Sequence, residues 1–263
     1  MVPLQLIFVV LFVLTKSVLV HCDGESFVKK SSFTYPKHCD EVMKRGYNRS
    51  GFYFIQPKYA PYPFPVVCHS EGWARGWTVI LNRFEGSQNF SKTWEEYQYG
   101  FGNVGREYWL GLENIHYLTG YDINELRVEL TDAFGTERTA NYKFFSVGSA
   151  ETFYTLKLIT GHSGDAPNSM SLQGGARFST VDNDQDESFG HCAWERRSGW
   201  WYRGLRHWNC SSADLNGLYS HMHARELGIE DSPGMHWKGI PTSIASLKEA
   251  RMMVRPRPSK GQD

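Results

Sequence analysis

Oxygen-bearing side chains crowd one short stretch of the sequence, Asp182-Asn183-Asp184-Gln185-Asp186-Glu187, which lies shortly before Cys192. Hard cations such as calcium bind oxygen ligands at about 2.3 to 2.6 Å, so alternate carboxylates suit them. An EF-hand is excluded, because counting Asp182 as position 1 puts Glu187 where the loop needs glycine and Ala193 where it needs glutamate. Spacing alone leaves two interpretations open, a calcium site and a solvated run of charge.

The cysteines offer a second chemistry. Cys39, Cys68, Cys192 and Cys210 form two pairs of sequence neighbours, with Cys22 left over. Oxidising compartments favour disulfides, and four cysteines allow three connectivities. Joining the sequence neighbours closes loops of 28 and 17 intervening residues, each of which stabilises the fold by about 3 kcal/mol. Without CxxC or HExxH motifs, a zinc site is disfavoured.

Signatures of catalysis are missing from the sequence. His221 and His223, with Glu226 following, could ligate a metal or transfer protons, but exposed loop histidines are far commoner. The chain has no GxSxG or P-loop motif. We therefore expect a protein that is not an enzyme.

The elements that must position these residues are short and mixed. Alternation of apolar and polar residues predicts antiparallel strands at 126–130 and 154–158, and helices are predicted at 93–97, capped by Ser91 or Thr93, and at 114–118. After Gly161 the chain is rich in loop-forming residues. The pattern predicts an α+β fold with functional loops. Further strands are predicted at 50–55, 64–68, 76–81 and 250–254.

The equal numbers of basic and acidic residues argue against a nucleic-acid partner. The 263 residues carry 28 Lys plus Arg and 28 Asp plus Glu, which leaves no basic surface for nucleic acid. Aromatic residues make up 15% of the chain and supply ample core. We expect no nucleic-acid partner.

The apolar run from Leu4 to Leu14 is too short to cross a bilayer and predicts a signal peptide within residues 1–22, cleaved after Ser17 or after Cys22. We therefore expect a secreted, extracellular chain without a membrane span. A retained Cys22 could link a homo-oligomer. Residues 23–38 form a short lead. Sequons at Asn48 and Asn89 predict glycosylation.

A series of aromatic and glycine-rich motifs runs along the chain in a fixed order. Together they resemble the fibrinogen-related domain of fibrinogen chains, ficolins, tachylectins, angiopoietins and tenascins, from Cys39 to Pro256. The resemblance implies the fibrinogen C-terminal globular fold, with an N-terminal subdomain (39–75), a central antiparallel sheet (76–177), a loop-rich calcium and ligand subdomain (178–256) and a tail (257–263). The motifs are Ser50-Gly51-Phe52-Tyr53, Gly76-Trp77-Thr78-Val79-Ile80, Thr93-Trp94-Glu95-Glu96-Tyr97, Glu107-Tyr108-Trp109-Leu110-Gly111, Gly199-Trp200-Trp201-Tyr202 and Leu215-Asn216-Gly217-Leu218-Tyr219.

The resemblance also implies a calcium site. In the family, two Asp side chains lie eight and six residues before the first cysteine of the second pair, and carbonyls four and two residues before it complete the site. Counting back from Cys192 assigns a Ca2+ ion to Asp184, Asp186, Ser188 and Gly190.

The implied ligand pocket lies beside this calcium. Ficolin- and tachylectin-like relatives hold an acetyl group with aromatic and His side chains. The corresponding positions in this sequence are Arg196, Ser211, Ala245 and a position near Asp231. Glu195-Arg196 stands where fibrinogen chains have Gln-Asp. Neither the acetyl preference nor the fibrin-peptide preference therefore carries over.

The loop between Cys192 and Cys210 is longer than is usual in the family, and its added residues are basic and aromatic. Such residues are favoured at binding hot spots, although a tolerated surface insertion, with Trp208 packed on Trp200 or Trp201, explains them equally well. The predicted ligand contacts are Arg196, Tyr202, Arg206, His207, Asn209 and Ser211.

Two functions follow. The first is a calcium-dependent, lectin-like recognition protein of innate immunity that binds glycans, or acetylated or anionic ligands, on microbial or cell surfaces. The alternative is an angiopoietin- or tenascin-like module that binds a protein receptor.

Overall fold

The computed structural model describes residues 34–71, 75–204, 210–219, 234–240 and 246–257. Several predicted features lie outside these residues: the signal peptide, Cys22 and most of the lead (23–38). The predicted ligand contacts Arg206, His207 and Asn209 also lie outside them, as do His221 and His223. The helices are α1 (Cys39–Lys44), α2 (Trp94–Tyr99), α3 (Leu112–Thr119) and α4 (Cys192–Arg196), with 3-10 turns at Ala150–Thr152 and Ser171–Gln173; the strands are β1 (Gly51–Ile55), β2 (Phe64–Ser70), β3 (Gly76–Arg83), β4 (Phe101–Gly102), β5 (Tyr108–Trp109), β6 (Asn124–Thr131), β7 (Glu137–Val147), β8 (Leu156–Gly164), β9 (Ala213–Asp214), β10 (His236–Trp237) and β11 (Glu249–Pro256).

One antiparallel sheet organises the fold, in the order β1-β2-β3-β11-β6-β7-β8, with β5 pairing with β3 and β4. β9 and β10 form a separate ribbon. Although β11 comes last in the chain, it lies between β3 and β6. The C-terminal segment therefore completes the middle of the sheet.

An aromatic cluster fills the core next to the predicted calcium loop. The Phe178 ring lies 5.2 Å from the Tyr97 and Trp201 rings and 5.9 Å from the Trp109 ring, measured between centroids. Aromatic pairs at these separations stabilise a fold by more than the burial of their apolar area alone provides. Phe178 precedes the acidic stretch and Trp201 follows it, so both ends of the loop are fixed to the core.

Several predicted elements differ from the observed ones. The predicted strand 154–158 begins only at Leu156, because Tyr154 has a left-handed backbone (φ 46°). Thr93, not Ser91, caps α2, in a capping box with Glu96. The 11-residue β7 was not predicted. The α+β fold and its antiparallel sheet are confirmed.

Disulfides join Cys39 to Cys68 and Cys192 to Cys210, with Cα atoms 5.3 and 5.5 Å apart. The first fixes α1 to β2. The second fixes α4 to the residues preceding β9. Sequence neighbours are thus paired, one of the three possible connectivities. No helix in the described segments has the length and apolar character needed to cross a membrane.

Candidate calcium and ligand site

The loop that carries the predicted calcium ligands begins with two backbone pairings. Ser179 and Trp200 exchange hydrogen bonds of 3.0 and 3.1 Å, and Thr180 and Asn183 exchange hydrogen bonds of 2.9 and 3.1 Å. The hydroxyl of Ser179 also accepts a 2.9 Å hydrogen bond from the backbone N–H of Gln185. These contacts present the following residues from a fixed base.

Asp182, the first residue of the acidic stretch, has a structural partner. Its Oδ1 accepts hydrogen bonds from the backbone N–H of Trp94 at 2.8 Å and from the Thr180 hydroxyl at 2.7 Å. Trp94 begins α2, where unpaired N–H groups and the helix dipole favour a carboxylate. Asp182 therefore attaches the loop to α2.

Asp184 and Asp186 lie side by side. The backbone N–H of Asp186 donates to Asp184 Oδ1 at 3.2 Å. Asp186 itself accepts from the backbone N–H of Ser188 at 2.8 Å and of Cys192 at 2.9 Å, one on each carboxylate oxygen. Burial, with a smaller effect of the Asp184 carboxylate, raises the pKa of Asp186.

The donor set fits a calcium ion. Two adjacent carboxylates repel each other, and a cation between them would relieve both that repulsion and the cost of half-burying Asp186. Ser188 and Gly190, the residues whose carbonyls the resemblance implies as further ligands, are exposed. Within the described residues no group of three or more His, Cys, Asp or Glu is placed to hold a metal, so the two carboxylates would need further oxygen ligands such as backbone carbonyls.

Gly204 lies directly against the calcium loop. Its φ is 59°, and a Cβ at this position would approach the Glu187 carbonyl carbon and the Ser188 Cα to 2.7 Å. Only glycine accommodates both the left-handed backbone and this contact. The start of the extended loop thus packs on the loop that carries the predicted ligands.

Three predicted ligand contacts are buried. Tyr202 is fully buried, and its hydroxyl donates to Asp214 Oδ2 at 2.8 Å. Ser198 Oγ donates to the same oxygen at 2.7 Å. Arg196 and Ser211 are also more than nine-tenths buried. Asp214 thus holds the Tyr202 hydroxyl in the interior, and Arg196 and Ser211 are likewise buried, so none of the three predicted contacts is presented on the surface of this structure.

Comparison with known proteins identifies this architecture. The family model for the fibrinogen beta and gamma chains, C-terminal globular domain, matches residues 35–257. The chain belongs to this family. It is 39% identical to human Fibrinogen-like protein 1 over 233 residues, covering 83% of this chain and 71% of the relative, and 40% identical to bovine Angiopoietin-4 over 222 residues, covering 83% of this chain but only 42% of the relative.

Solved structures agree. The fibrinogen-like globe domain of human ANGPTL6 matches with a TM-score of 0.76 and 36% identity, covering 87% of this chain and all of that domain. Lamprey fibrin D-dimer, in complex with the peptide ligand Gly-His-Arg-Pro-amide, matches with a TM-score of 0.77 and 32% identity, covering 93% and 81%. The fibrinogen C-terminal globular fold is therefore shown.

Two exposed aromatic side chains of this fibrinogen-like domain escaped the sequence analysis. Phe189 is fully exposed, and Trp194 on α4 is 68% exposed. His191 lies between them and caps α4, its Nδ1 accepting from the backbone N–H of Trp194 at 2.9 Å. In the sequence, Phe189 lies between Ser188 and Gly190, the two predicted carbonyl ligands. Its place in this predicted calcium loop, rather than in a strand or helix, was the sequence feature that could have indicated an exposed side chain. We call the exposed part of residues 184–197 the calcium-loop face.

Proposed function

We propose that this chain is an extracellular binding module that docks a protein receptor through the calcium-loop face. The observation that carries the proposal is the exposure of Phe189 and Trp194 within six residues of each other. Large aromatic side chains are costly to leave in water and are enriched at the centres of protein interfaces.

The relatives favour this function over the lectin-like one. Angiopoietins and fibrinogen-like proteins are among the chains it resembles, and the lamprey neighbour is a complex with a peptide ligand. The acetyl-holding aromatic side chains of the lectin-like relatives are replaced here, by Arg196 and Ser211 among others, and both of these are buried.

We further propose that one Ca2+ ion, held by Asp184, Asp186 and the carbonyls of Ser188 and Gly190, stiffens this face. A pre-ordered loop loses less conformational entropy when a partner binds. Binding should therefore depend on calcium even though the ion need not touch the receptor. Residues 1–22 would direct secretion, in keeping with the two disulfides.

The test is binding of the labelled, secreted chain to intact cells. Cells that bind it are identified first, then treated with protease, with glycosidases or with chelator. We expect protease and chelator to remove binding and glycosidases to preserve it. The double variant Phe189→Ser, Trp194→Ser should bind at least about tenfold more weakly, since truncating one central aromatic anchor commonly costs about 2 kcal/mol.

Phe134→Ser is the matched control, because Phe134 is 70% exposed but lies between β6 and β7. It should bind as the parent chain does. Full binding by the double variant would overturn the proposal. Binding that survives protease but not glycosidases, with chelator-sensitive signals on a glycan array, would restore the lectin-like function.

A further inference from the structure

A groove of about 320 Å³ lies between the β1–β2 loop and helices α2 and α3. None of its lining residues belongs to the calcium-loop face. α2 and α3 pack against each other, so the groove rests on a fixed base. It is lined by Ala60, Pro61, Tyr62, Pro63, Phe64, Gln98, Tyr99, Glu113, Asn114 and Tyr117.

Tyrosine rings and prolines dominate this groove. Tyr62 is 77% exposed and Tyr99 is 63% exposed, while Tyr117 is half-buried. Pro61 and Pro63 flank Tyr62 and restrict the backbone around it. The rings are thus available to a ligand and are carried by a stiff loop and two helix surfaces.

Glu113 is the single charged residue among those that line the groove. It is half-buried on α3, one turn before Tyr117, and accepts a hydrogen bond from the Tyr154 hydroxyl. Burial and a hydrogen bond with Glu113 raise the pKa of Tyr117. Within the described part of the chain, Glu113 forms no ion pair with Lys, Arg or His. Its negative charge is therefore stabilised by tyrosine hydroxyls and by its place in the first turn of α3, and not by a cationic side chain of the described residues.

We propose that this groove binds the quaternary ammonium group of a choline-type ligand. Aromatic rings attract a cation through the negative potential of their faces. Glu113 adds a full negative charge at the wall. The ligand would contribute the positive charge that the carboxylate lacks in the described structure.

The lining distinguishes this ligand from close alternatives. A primary ammonium is strongly hydrated, so moving it from water onto a groove lined mainly by rings and prolines costs more than moving a quaternary ammonium. A quaternary ammonium has no N–H to satisfy. A neutral ligand would gain nothing from the charge of Glu113.

The experiment is calorimetric titration of the intact secreted chain with choline chloride, against sodium chloride at the same ionic strength. We expect saturable binding with a Kd on the order of 1 mM or tighter. The neutral isostere 3,3-dimethyl-1-butanol and the primary amine ethanolamine should each bind at least about fivefold more weakly.

Choline binding should be weakened by about fivefold or more in each of three variants, Tyr62→Ala, Tyr99→Ala and Glu113→Gln. Glu113→Gln keeps an acceptor for Tyr154, and the two tyrosines are exposed, so melting temperatures should show that all three variants fold. Tyr47→Ala is the control, because Tyr47 is 61% exposed and does not line the groove. Absent choline binding, equal binding of the neutral isostere, stronger binding of ethanolamine, or unchanged binding by all three variants would each overturn the proposal.

Discussion

The carboxylate of Asp182 accepts a hydrogen bond from the backbone N–H of Trp94 at 2.8 Å, across 88 residues of sequence. Two residues further on, Asp184 and Asp186 lie next to each other and make no such contact with α2. The acidic stretch therefore divides into a residue that fixes the loop and a pair that suits a cation. Neither the role of Asp182 as a loop contact nor the pairing of Asp184 with Asp186 matches a uniformly solvated run of charge, and the calcium interpretation of the pair stays a prediction.

This division predicts different effects on stability for substitutions at Asp184 and at Asp182. Calcium at ten times its Kd should stabilise the parent chain by about 1.4 kcal/mol, which raises its melting temperature by roughly 3 to 6 °C. Asp184→Asn should abolish this increment, because it removes a ligand charge. Asp182→Ala should keep the increment but cost about 1 kcal/mol with or without calcium, because α2 loses a contact at its first turn.

Melting curves recorded with calcium and with chelator check both variants. An increment that persists in Asp184→Asn would remove Asp184 from the site. An increment lost in Asp182→Ala alone would show that attachment to α2, rather than the carboxylate pair, governs metal binding.

The hydrogen bonds to the Glu107 carboxylate predict that the stability of the fold depends on pH. Burial raises its pKa, but backbone N–H groups of Phe84, Glu85, Gly86 and Gln88 donate to its carboxylate, and the net pKa is lowered. A lowered folded-state pKa stabilises the fold fully above the unfolded-state pKa of about 4.3, and this contribution is lost as pH falls towards the folded-state value.

Glu107→Gln should therefore lower the free energy of unfolding by about 2 kcal/mol at pH 7, and the difference from the parent should shrink between pH 5 and 3. Urea denaturation at several pH values measures this. Glu151→Gln, at an exposed carboxylate, should leave the curve unchanged. A difference that stays constant down to pH 3 would contradict the prediction.

The sequence predicts most of the sheet but misses β7, and the register explains why. Leu126 faces Tyr142 and Asn124 faces Phe145, so three residues of β7 span two of β6. The buried positions change phase at this bulge, from Ala140 and Tyr142 to Phe145 and Val147. No single period-two pattern covers the strand, so a search for alternation cannot find it.

The predicted calcium ligands and the predicted ligand contacts depend on different information. The assignment of calcium to Asp184 and Asp186, which stays a prediction, follows from register to Cys192, which is local in sequence. Tyr202 is placed in the interior by Asp214, a tertiary partner that the sequence does not reveal.

Asn48 and Asn89 are both exposed, which supports the predicted glycosylation. We expect glycosidase treatment of the secreted chain to remove two glycans, and Asn48→Gln and Asn89→Gln each to remove one. Intact-mass spectrometry checks this. An unchanged mass after either substitution would exclude that sequon.

Arg83 ties the central sheet to the segment that follows β9. Its guanidinium is buried, stacks on Phe90 at 3.8 Å from the ring centroid, and donates to the carbonyls of Leu215 and Gly217 at 3.1 and 2.9 Å. Burial lowers its pKa to about 10, so it remains charged at neutral pH.

Arg83→Met should lower the free energy of unfolding by about 2 to 4 kcal/mol, because two buried carbonyls lose their charged donor while the apolar volume is kept. Urea denaturation measures the loss. Arg106→Met, which breaks an exposed ion pair with Glu85, is the matched control and should leave the midpoint within error. Equal midpoints for the two variants would mean that water replaces the guanidinium, and that Arg83 does not hold the 215–217 segment against β3.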